Sequence, residues 1–315
     1  MRTAVVLPAY NEEATIVHTI EAFFRELPEA FLVVVDNNSK DRTAALARDT
    51  FARIGARGTV FSELRQGKGN AVRRAFLDVD ADVFVLCDAD MTYPAQSVHE
   101  LIAPIVSGEA DMTVGDRRSG GQYASENKRR FHSFGNELVR GLVNTLFAAN
   151  LTDIMSGYRA FNVGFVRDYP ILVDGFQIET DMTLHALDKR YRIREVPVEY
   201  RDRPPGSHSK LSTFRDGALV LFTIAQILSY YKPLLFFGTL AALFAVTGVV
   251  VALPVFDDWI QYRYIYHVPL AVLAAALEAV AMTALGIGLV LHAINHQFKM
   301  LFERGQVRRY RRSGG

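Results

Sequence analysis

A continuous apolar segment that ends in two carboxylates constrains the fold of this chain more than any other feature. Residues 83–87 (VFVLC) lead directly into Asp88-Ala89-Asp90, and Pro94 then prevents a strand from continuing. Strands that are apolar on both faces are typical of parallel sheets, whose carboxyl edges carry the ligand sites of open α/β folds. Residues two apart in extended backbone project to one side, so we expect the Asp88 and Asp90 carboxylates to converge. They are candidate ligands for Mg²⁺ or Mn²⁺; the alternative is a solvated turn that caps the next helix.

Strand-like and helix-like segments alternate along the part of the chain that precedes residue 200. Strands are predicted at residues 4–7, 31–35, 59–61, 83–87 and near 196–200, and helices at residues up to about 27, around 44–47, from the glycine-rich segment 66–70 onward, and at 134–147. This alternation predicts βαβ units and an α/β fold, with a mostly parallel sheet covered by helices on both faces. Polar loop residues should then gather at the carboxyl edge of the sheet.

Charge, cysteine content and glycine spacing exclude several classes of protein. A net charge of +1 over 315 residues argues against a nucleic-acid partner. Cys87 is the only cysteine, which rules out an intramolecular disulfide, and its apolar surroundings favour a core residue over a nucleophile. No dinucleotide-binding or P-loop fingerprint occurs. Gly67-Lys68-Gly69 could still bring backbone N–H groups and the Lys68 ammonium to a diphosphate, or it could form an ordinary turn.

Polar side chains at the predicted strand ends indicate a nucleotide site. Asp36 follows the second strand, where its carboxylate could accept a hydrogen bond from a base or a ribose. Its alternative role is turn formation with Asn37 and Asn38. Basic and hydroxyl side chains that flank the same edge are candidates for binding phosphate: Arg117, Arg129, Ser133, Arg203 and Lys210.

Two long apolar segments lie near the C-terminus. Residues 234–253 carry no charge, and residues 268–291 carry only Glu278. About 20 apolar residues span a bilayer, and residues 254–267, with Trp259 and several tyrosines, have the composition of a loop at the membrane surface. The flanking Lys and Arg residues predict a hairpin in the plasma membrane with both termini cytoplasmic; the alternative is a buried helical hairpin of a soluble protein. Glu278 should face the other helix or another subunit, and the helices could form a homo-oligomer.

Residues 213–231 form a predicted helix that is apolar except for one narrow polar side. Such a helix is expected to lie in the membrane interface and to hold the preceding domain close to lipid headgroups. We therefore divide the chain into a catalytic domain at 1–212, a juxtamembrane helix at 213–232, a transmembrane hairpin at 233–292 and a basic cytoplasmic tail at 293–315.

Together these motifs resemble the family 2 glycosyltransferases of GT-A fold, and among them the polyprenyl-phosphate glycosyltransferases typified by dolichyl-phosphate mannose synthase. The resemblance covers residues 3–211, and the membrane hairpin is similar to that of the anchored members. The motifs that carry it occur in the family order: PAYNEE at 8–13, DNNS at 36–39, DAD at 88–90, SGY at 156–158 and SKL at 209–211. One departure is Thr92, where mannose synthases usually have glutamine, and it bears on the metal shell and the choice of donor.

The resemblance implies roles for individual residues. The nucleotide would be bound by Pro8, Tyr10, Glu12, Asp36 and Asp88, and Lys68 of the glycine-rich segment is a further candidate. Asp88 and Asp90 would bring the metal to the donor diphosphate, and the catalytic set would consist of these two residues with Arg117, Arg129 and Lys210. Phosphates of the lipid acceptor or the donor would be held by Arg117, Arg129, Ser133, Arg203 and Lys210. Glu179 and Asp181 would contact the sugar or the acceptor loop, unless they belong to a surface helix.

The resulting hypothesis is inverting transfer of one hexose from a UDP- or GDP-sugar to undecaprenyl or dolichyl phosphate, giving a lipid-linked donor for cell-envelope or protein glycosylation. The Gln-x-x-Arg-Trp motif of processive synthases is absent, which favours a single transfer. One rival is transfer to a diacylglycerol or ceramide lipid, whose hydroxyl would need Glu179 or Asp181 as a base. Another rival is a non-catalytic membrane scaffold that binds a nucleotide.

Overall fold

One mixed sheet organises the first part of the protein. The computed structural model describes residues 1–119, 130–174, 177–201 and 213–313, and the chain divides into two units, Met1–Thr213 and Phe214–Gly315. Within the described residues the strands are β1 (Thr3–Ala9), β2 (Phe31–Asp36), β3 (Gly58–Ser62), β4 (Val83–Leu86), β5 (Met112–Asp116), β6 (Arg159–Asn162) and β7 (Ile193–Pro197). Their order across the sheet is β3-β2-β1-β4-β6-β5-β7. Strand β6 is antiparallel to β4 and β5, and the other neighbouring pairs are parallel.

Helices cover both faces of this sheet. In chain order they are α1 (Ile16–Glu26), α2 (Thr43–Ile54), α3 (Lys68–Asp78), α4 (Val98–Val106), α5 (Arg130–Phe147), α6 (Val163–Asp168) and α7 (Ile178–Asp188). Helices α1, α2 and α4 pack on Val5, Leu7 and their neighbours in one core cluster. Helices α3, α6 and α7 pack on Ala4, Val6 and their neighbours in a second cluster. Because alternate strand residues enter different cores, the central strands β1, β2 and β4 are almost entirely apolar. The predicted α/β class with a mostly parallel sheet is confirmed.

The strand register defines the edge at which the polar loops meet, called here the carboxyl edge. Strands β1 and β2 end side by side, with Ala9 opposite Asp36. Strand β6 runs in the opposite direction and pairs its first residue, Arg159, with Leu86 at the end of β4. The segment that precedes Arg159 therefore reaches the same edge as the segment that follows Leu86.

The last strand of the sheet begins earlier in the chain than predicted. Strand β7 pairs Ile193 with Met112 and Pro197 with Asp116, so its position follows from the whole length of β5. The prediction of a strand near residues 196–200 was therefore wrong by about three residues, because only the tertiary pairing selects which part of this segment extends.

Three helices form the second unit: α8 (Thr213–Tyr231), α9 (Pro233–Tyr262) and α10 (Val268–Ser313). Helices α9 and α10 pack antiparallel, since Gly248 lies beside Glu278 and Gly288 lies beside Phe237. A Cβ atom at position 248 would lie 2.7 Å from Glu278 Oε1, so Gly248 makes room for this carboxyl group. Glu278 thus faces the other helix, as predicted.

Helices α9 and α10 expose most of their apolar side chains. Their most apolar 18-residue windows have mean hydropathies of 2.4 and 2.1 and are only 11% and 17% buried. By length and composition, these are the two helices of the described residues that could cross a membrane. The loop predicted at residues 254–267 was wrong in its first part, because α9 continues through Pro254 to Tyr262. The connection between the two helices is correspondingly short.

Candidate active site

The two carboxylates that follow β4 lie in a turn. Strand pairing ends at Leu86 and residues 89–90 form a turn, so the expectation that Asp88 and Asp90 lie in extended backbone and project to one side of it was wrong. Met91 has a φ of 62°, in the left-handed region that is strained for a side chain of this kind. Asp90 is buried, and its Oδ1 accepts hydrogen bonds from Thr92 N at 3.2 Å and Thr92 Oγ1 at 2.6 Å. The chain thus holds Asp90 through the threonine that departs from the family pattern.

Lys68, the first residue of α3, lies between two carboxylates. Its Nζ forms ion pairs with Asp88 Oδ1 and with Glu179 Oε1, which belongs to the first turn of α7. The Lys68 and Glu179 side chains are 6% and 7% exposed, whereas the Asp88 side chain is 29% exposed. Burial alone would lower the pKa of Lys68, but the two carboxylates more than offset it and raise that pKa above its ordinary value. Lys68 is therefore a permanently charged cation inside the site.

The glycines beside Lys68 allow a close approach of backbone. Gly69 N–H donates to Asp174 O at 2.9 Å, and Gly67 N–H donates to the side-chain oxygen of Asn37 at 2.7 Å. A side chain at either glycine would collide with the backbone of residues 173–174. The N–H groups and the ammonium that were expected to reach a diphosphate therefore have partners within the protein, and nucleotide binding by Lys68 stays a prediction.

The segment before β6 closes over this cluster. A Cβ atom at Gly157 would lie 3.0 Å from both Asp88 Cγ and Lys68 Nζ, so only glycine fits there without displacement. The Tyr93 hydroxyl accepts hydrogen bonds from Gly157 N–H at 3.1 Å and from Ser156 Oγ at 3.3 Å. Burial raises the pKa of Tyr93, so the hydroxyl stays neutral. The turn after β4 and the segment before β6 are in this way joined directly.

Arg159 is a site residue that the sequence analysis missed. It is fully buried, and burial lowers its pKa. Its guanidinium donates to Ser156 O at 2.8 Å, Ile154 O at 2.8 Å and Thr183 Oγ1 at 2.9 Å. The arginine thereby ties the segment before β6 to helix α7, which carries Glu179. A charged residue at the start of a short strand was the only signal in the sequence.

The predicted nucleotide residues lie at the ends of β1 and β2. Pro8 is the last but one residue of β1, Tyr10 and Glu12 follow the strand, and Asp36 is the buried last residue of β2. The two loops bind each other, because Asn11 N–H donates to Ser39 Oγ at 3.0 Å, and Glu12 N–H donates to Thr43 Oγ1 at 2.8 Å. The fold therefore brings these residues to one place at the carboxyl edge, and their contact with a nucleotide stays a prediction.

Arg117, after β5, is held by an acidic partner. Its Nε and Nη2 donate to the two Asp153 oxygens at 2.6 and 2.9 Å, and its guanidinium lies 5.5 Å from the Tyr200 ring centroid. Burial would raise the pKa of Asp153, but the Arg117 hydrogen bonds more than offset this, and the pKa is lowered. An acceptor phosphate would have to share Arg117 with Asp153.

The remaining predicted residues are placed differently. Asp181 Oδ2 accepts a hydrogen bond from the Tyr169 hydroxyl at 2.7 Å. Arg129, Arg203 and Lys210 lie outside the described residues, as does the side chain of Ser133 in α5. Among the residues that the structure describes, no group of three or more His, Cys, Asp or Glu side chains is arranged to hold a metal by itself.

The protein is an α/β protein with a mostly parallel sheet and an acidic turn at its carboxyl edge, where folds of this class bind their ligands. Residues 4–169 match the model of the family described as glycosyl transferase family 2. The chain therefore belongs to this family, and it is a glycosyltransferase of GT-A fold.

Individual relatives and a solved structure extend the comparison. The chain is 30% identical to glycosyltransferase AglJ of Haloferax volcanii over 95% of its own length and 97% of the relative's. It is 31% identical to the dolichyl-phosphate hexose transferase of Haloferax volcanii, covering 71% of this chain and 92% of the relative. The structure resembles glucosyl-3-phosphoglycerate synthase from Mycobacterium tuberculosis, crystallised with Mn²⁺, uridine-diphosphate and phosphoglyceric acid, with a TM-score of 0.54 and 26% identity over 72% of this chain and 78% of that chain.

Proposed function

We propose that this enzyme transfers one hexose from a UDP- or GDP-sugar to a polyprenyl phosphate such as undecaprenyl or dolichyl phosphate, with inversion at the anomeric carbon. The observation that carries the proposal is the Asp88-Ala89-Asp90 turn at the carboxyl edge of a family 2 chain. The name of the dolichyl-phosphate hexose transferase, which resembles this chain over most of its length, supports the acceptor. Two helices that could cross a membrane support a lipid acceptor as well.

The carboxylates of the turn fit a divalent cation. Asp88 is the most exposed member of the Lys68 ion-pair cluster, and Asp90 lies two residues later at the same edge of the sheet. Carboxylate oxygens are the ligands that Mg²⁺ and Mn²⁺ prefer, and the related synthase was crystallised with Mn²⁺ and UDP. Asp88 and Asp90 would hold Mg²⁺ or Mn²⁺, which when bound neutralises the charge of the leaving diphosphate.

The contacts of Glu179 and Asp181 favour an acceptor that attacks with a phosphate oxygen over one that attacks with a hydroxyl group. A phosphate oxygen is already ionised near neutral pH and attacks without a general base, whereas a lipid hydroxyl needs one. Glu179 is paired with Lys68, and Asp181 accepts from Tyr169. Neither carboxylate is therefore disposed as a ready base, which supports direct displacement of the nucleoside diphosphate by a phosphate oxygen.

The remaining residues have proposed roles at the two ends of the substrate pair. Pro8, Tyr10, Glu12, Asp36 and Lys68 would line the nucleotide site. The acceptor phosphate would be bound by Arg117, Arg129, Ser133, Arg203 and Lys210, and the sugar or acceptor loop by Glu179 and Asp181. Helices α9 and α10 would span the cytoplasmic membrane, with α8 at the interface and both termini cytoplasmic, as the distribution of Lys and Arg favours. The domain boundaries at residues 212, 232 and 292 and a homo-oligomer through the helices stay part of this proposal.

The test is transfer of label from a panel of UDP- and GDP-sugars to undecaprenyl and dolichyl phosphate, with diacylglycerol and phosphoglycerate as alternative acceptors, and with Mg²⁺, Mn²⁺ or a chelator. We expect one donor to give an acid-labile lipid product, and Asp88→Asn and Asp90→Asn to lose at least about 100-fold in rate, the scale on which removal of one electrostatic group acts. Asp80→Asn is the matched control, because Asp80 is 70% exposed and precedes β4 at the opposite edge. Full activity of both site variants would refute the assignment, and label in diacylglycerol or phosphoglycerate instead would refute the acceptor.

A further inference from the structure

The Lys68 cluster contains one carboxylate that the proposed metal site does not use. Lys68 forms ion pairs with Asp88, a proposed metal ligand, and with Glu179, which comes from helix α7. The three residues belong to three separate parts of the chain, since Glu179 is 111 positions away from Lys68. Gly157 closes over Asp88 and Lys68, so the cluster is enclosed on that side too.

Exposure distinguishes the two carboxylates. The Glu179 side chain is 7% exposed and the Asp88 side chain is 29% exposed, so Glu179 lies at the interior end of the cluster and Asp88 at its outer end. A metal ion that enters from solvent would bind Asp88, which already forms an ion pair with Lys68 on its buried side. The metal ion and the Lys68 ammonium would then repel each other, unless a second anion such as Glu179 compensates the charge of Lys68.

Resting on the proposed metal site, we propose that Glu179 is a positioning residue that retains Lys68 at the interior end of the cluster, and that the balance of charge between Lys68 and Glu179 sets the affinity of Asp88 and Asp90 for the divalent cation. Lys68 prevents the carboxylates from repelling one another in the metal-free protein. With a divalent cation on Asp88, Lys68 would keep its ion pair with Glu179, so its charge would stay compensated.

The formal charges specify the direction of each effect. Asp88, Asp90 and Glu179 with Lys68 carry a net charge of minus two, which matches a divalent cation. Glu179→Gln reduces this to minus one, Lys68→Gln raises it to minus three, and the double variant returns it to minus two. Arg159 stays charged in every variant and cancels from the comparison. A unit charge about 6 Å from a divalent cation changes its affinity about tenfold even at the dielectric constant of water.

The rival explanation is purely structural: the Lys68–Glu179 pair would only fasten α3 to α7. Both single variants would then lower the thermal stability without changing the metal affinity of the folded protein. The two explanations therefore differ in a measurement that does not involve turnover.

The experiment is titration of the purified full-length chain in detergent with Mn²⁺ alone, with free Mn²⁺ measured by electron paramagnetic resonance and thermal unfolding recorded for each variant. We expect Glu179→Gln to weaken Mn²⁺ binding about tenfold, Lys68→Gln to strengthen it about tenfold, and the double variant to bind like the wild type. Glu21→Gln, which breaks a 2.6 Å surface ion pair with Arg53, is the control and should leave the Kd unchanged.

The possible failures are distinguishable. If Asp88→Asn binds Mn²⁺ as tightly as the wild type, the proposed metal site is wrong and this inference is overturned with it. If Asp88→Asn abolishes binding but the Glu179 and Lys68 variants keep the wild-type Kd, only the inference is overturned and the pair is structural. Should one single variant not fold, the other decides alone, because each must move the Kd in its own direction.

Discussion

Removal of the buried guanidinium of Arg159 is expected to destabilise the first unit and to release the segment that closes over Lys68. In Arg159→Met the side chain keeps most of its length but loses its donors to Ser156 O, Ile154 O and Thr183 Oγ1. Since Ser156 and Ile154 lie in the segment that carries Gly157, we expect the substitution to reduce transfer as well as stability.

The size of the stability loss in Arg159→Met depends on the hydrogen-bond acceptors that lose their donor. A buried acceptor that loses its donor costs about 1–3 kcal/mol, and charged donors lie at the upper end of that range. Ile154 O keeps a contact with Thr183 Oγ1 at 3.3 Å, whereas the Ser156 carbonyl loses the guanidinium hydrogen bond described above. The methionine variant no longer buries the charge of Arg159, and this offsets part of the lost stability. We therefore expect a net loss of about 3 kcal/mol, which for a unit of this size lowers the Tm by about 6–12 °C.

Labelling of the only cysteine allows the Tm of the first unit to be measured in the full-length chain. Cys87 is 1% exposed at the end of β4, so a fluorogenic maleimide reports unfolding of the first unit, whereas the only tryptophan, Trp259, lies in the second. Arg194→Met is the matched control, because Arg194 and its partner Glu109 are 61% and 60% exposed, and such surface pairs contribute about 1 kcal/mol or less. A Tm for Arg159→Met equal to that of Arg194→Met would refute the reasoning.

Two other substitutions test the site and the core beside it. Gly157→Ala should lower the Tm by a few degrees and reduce the transfer rate tenfold or more. The reason is that the added Cβ atom would lie 3.0 Å from Asp88 Cγ and Lys68 Nζ, and overpacking of this kind costs about 1–3 kcal/mol. Wild-type kinetics in the alanine variant would contradict the tight fit. Burial, with a further contribution from Lys189, lowers the pKa of His185 to about 4, below its ordinary value of 6.5, so unfolding is favoured as the pH falls from 6.5 towards 4. His185→Phe should remove about 3 kcal/mol of that pH dependence in denaturant unfolding, and parallel stability profiles for variant and wild type would rule this out.

Local patterns were sufficient to predict the fold class. The apolar strands and the amphipathic helices have periods that the backbone geometry itself imposes, so their alternation predicted a sheet covered on both faces. The motif order predicted the family, and the length of the two apolar segments predicted helices of transmembrane type. Boundaries were less certain: Pro254 suggested the end of a helix, yet α9 continues to Tyr262.

The tertiary structure decided which groups meet at the carboxyl edge. Lys68 and Glu179 are far apart in the sequence, and no local pattern indicates that they share a buried ion pair. Arg159 reaches the edge only because β6 runs antiparallel and pairs it with Leu86. Local periodicity depends only on residues that are close in the sequence, so it can be read from a short segment. The partners of a buried charge depend on strand order and register, which are determined by the packing of the whole domain.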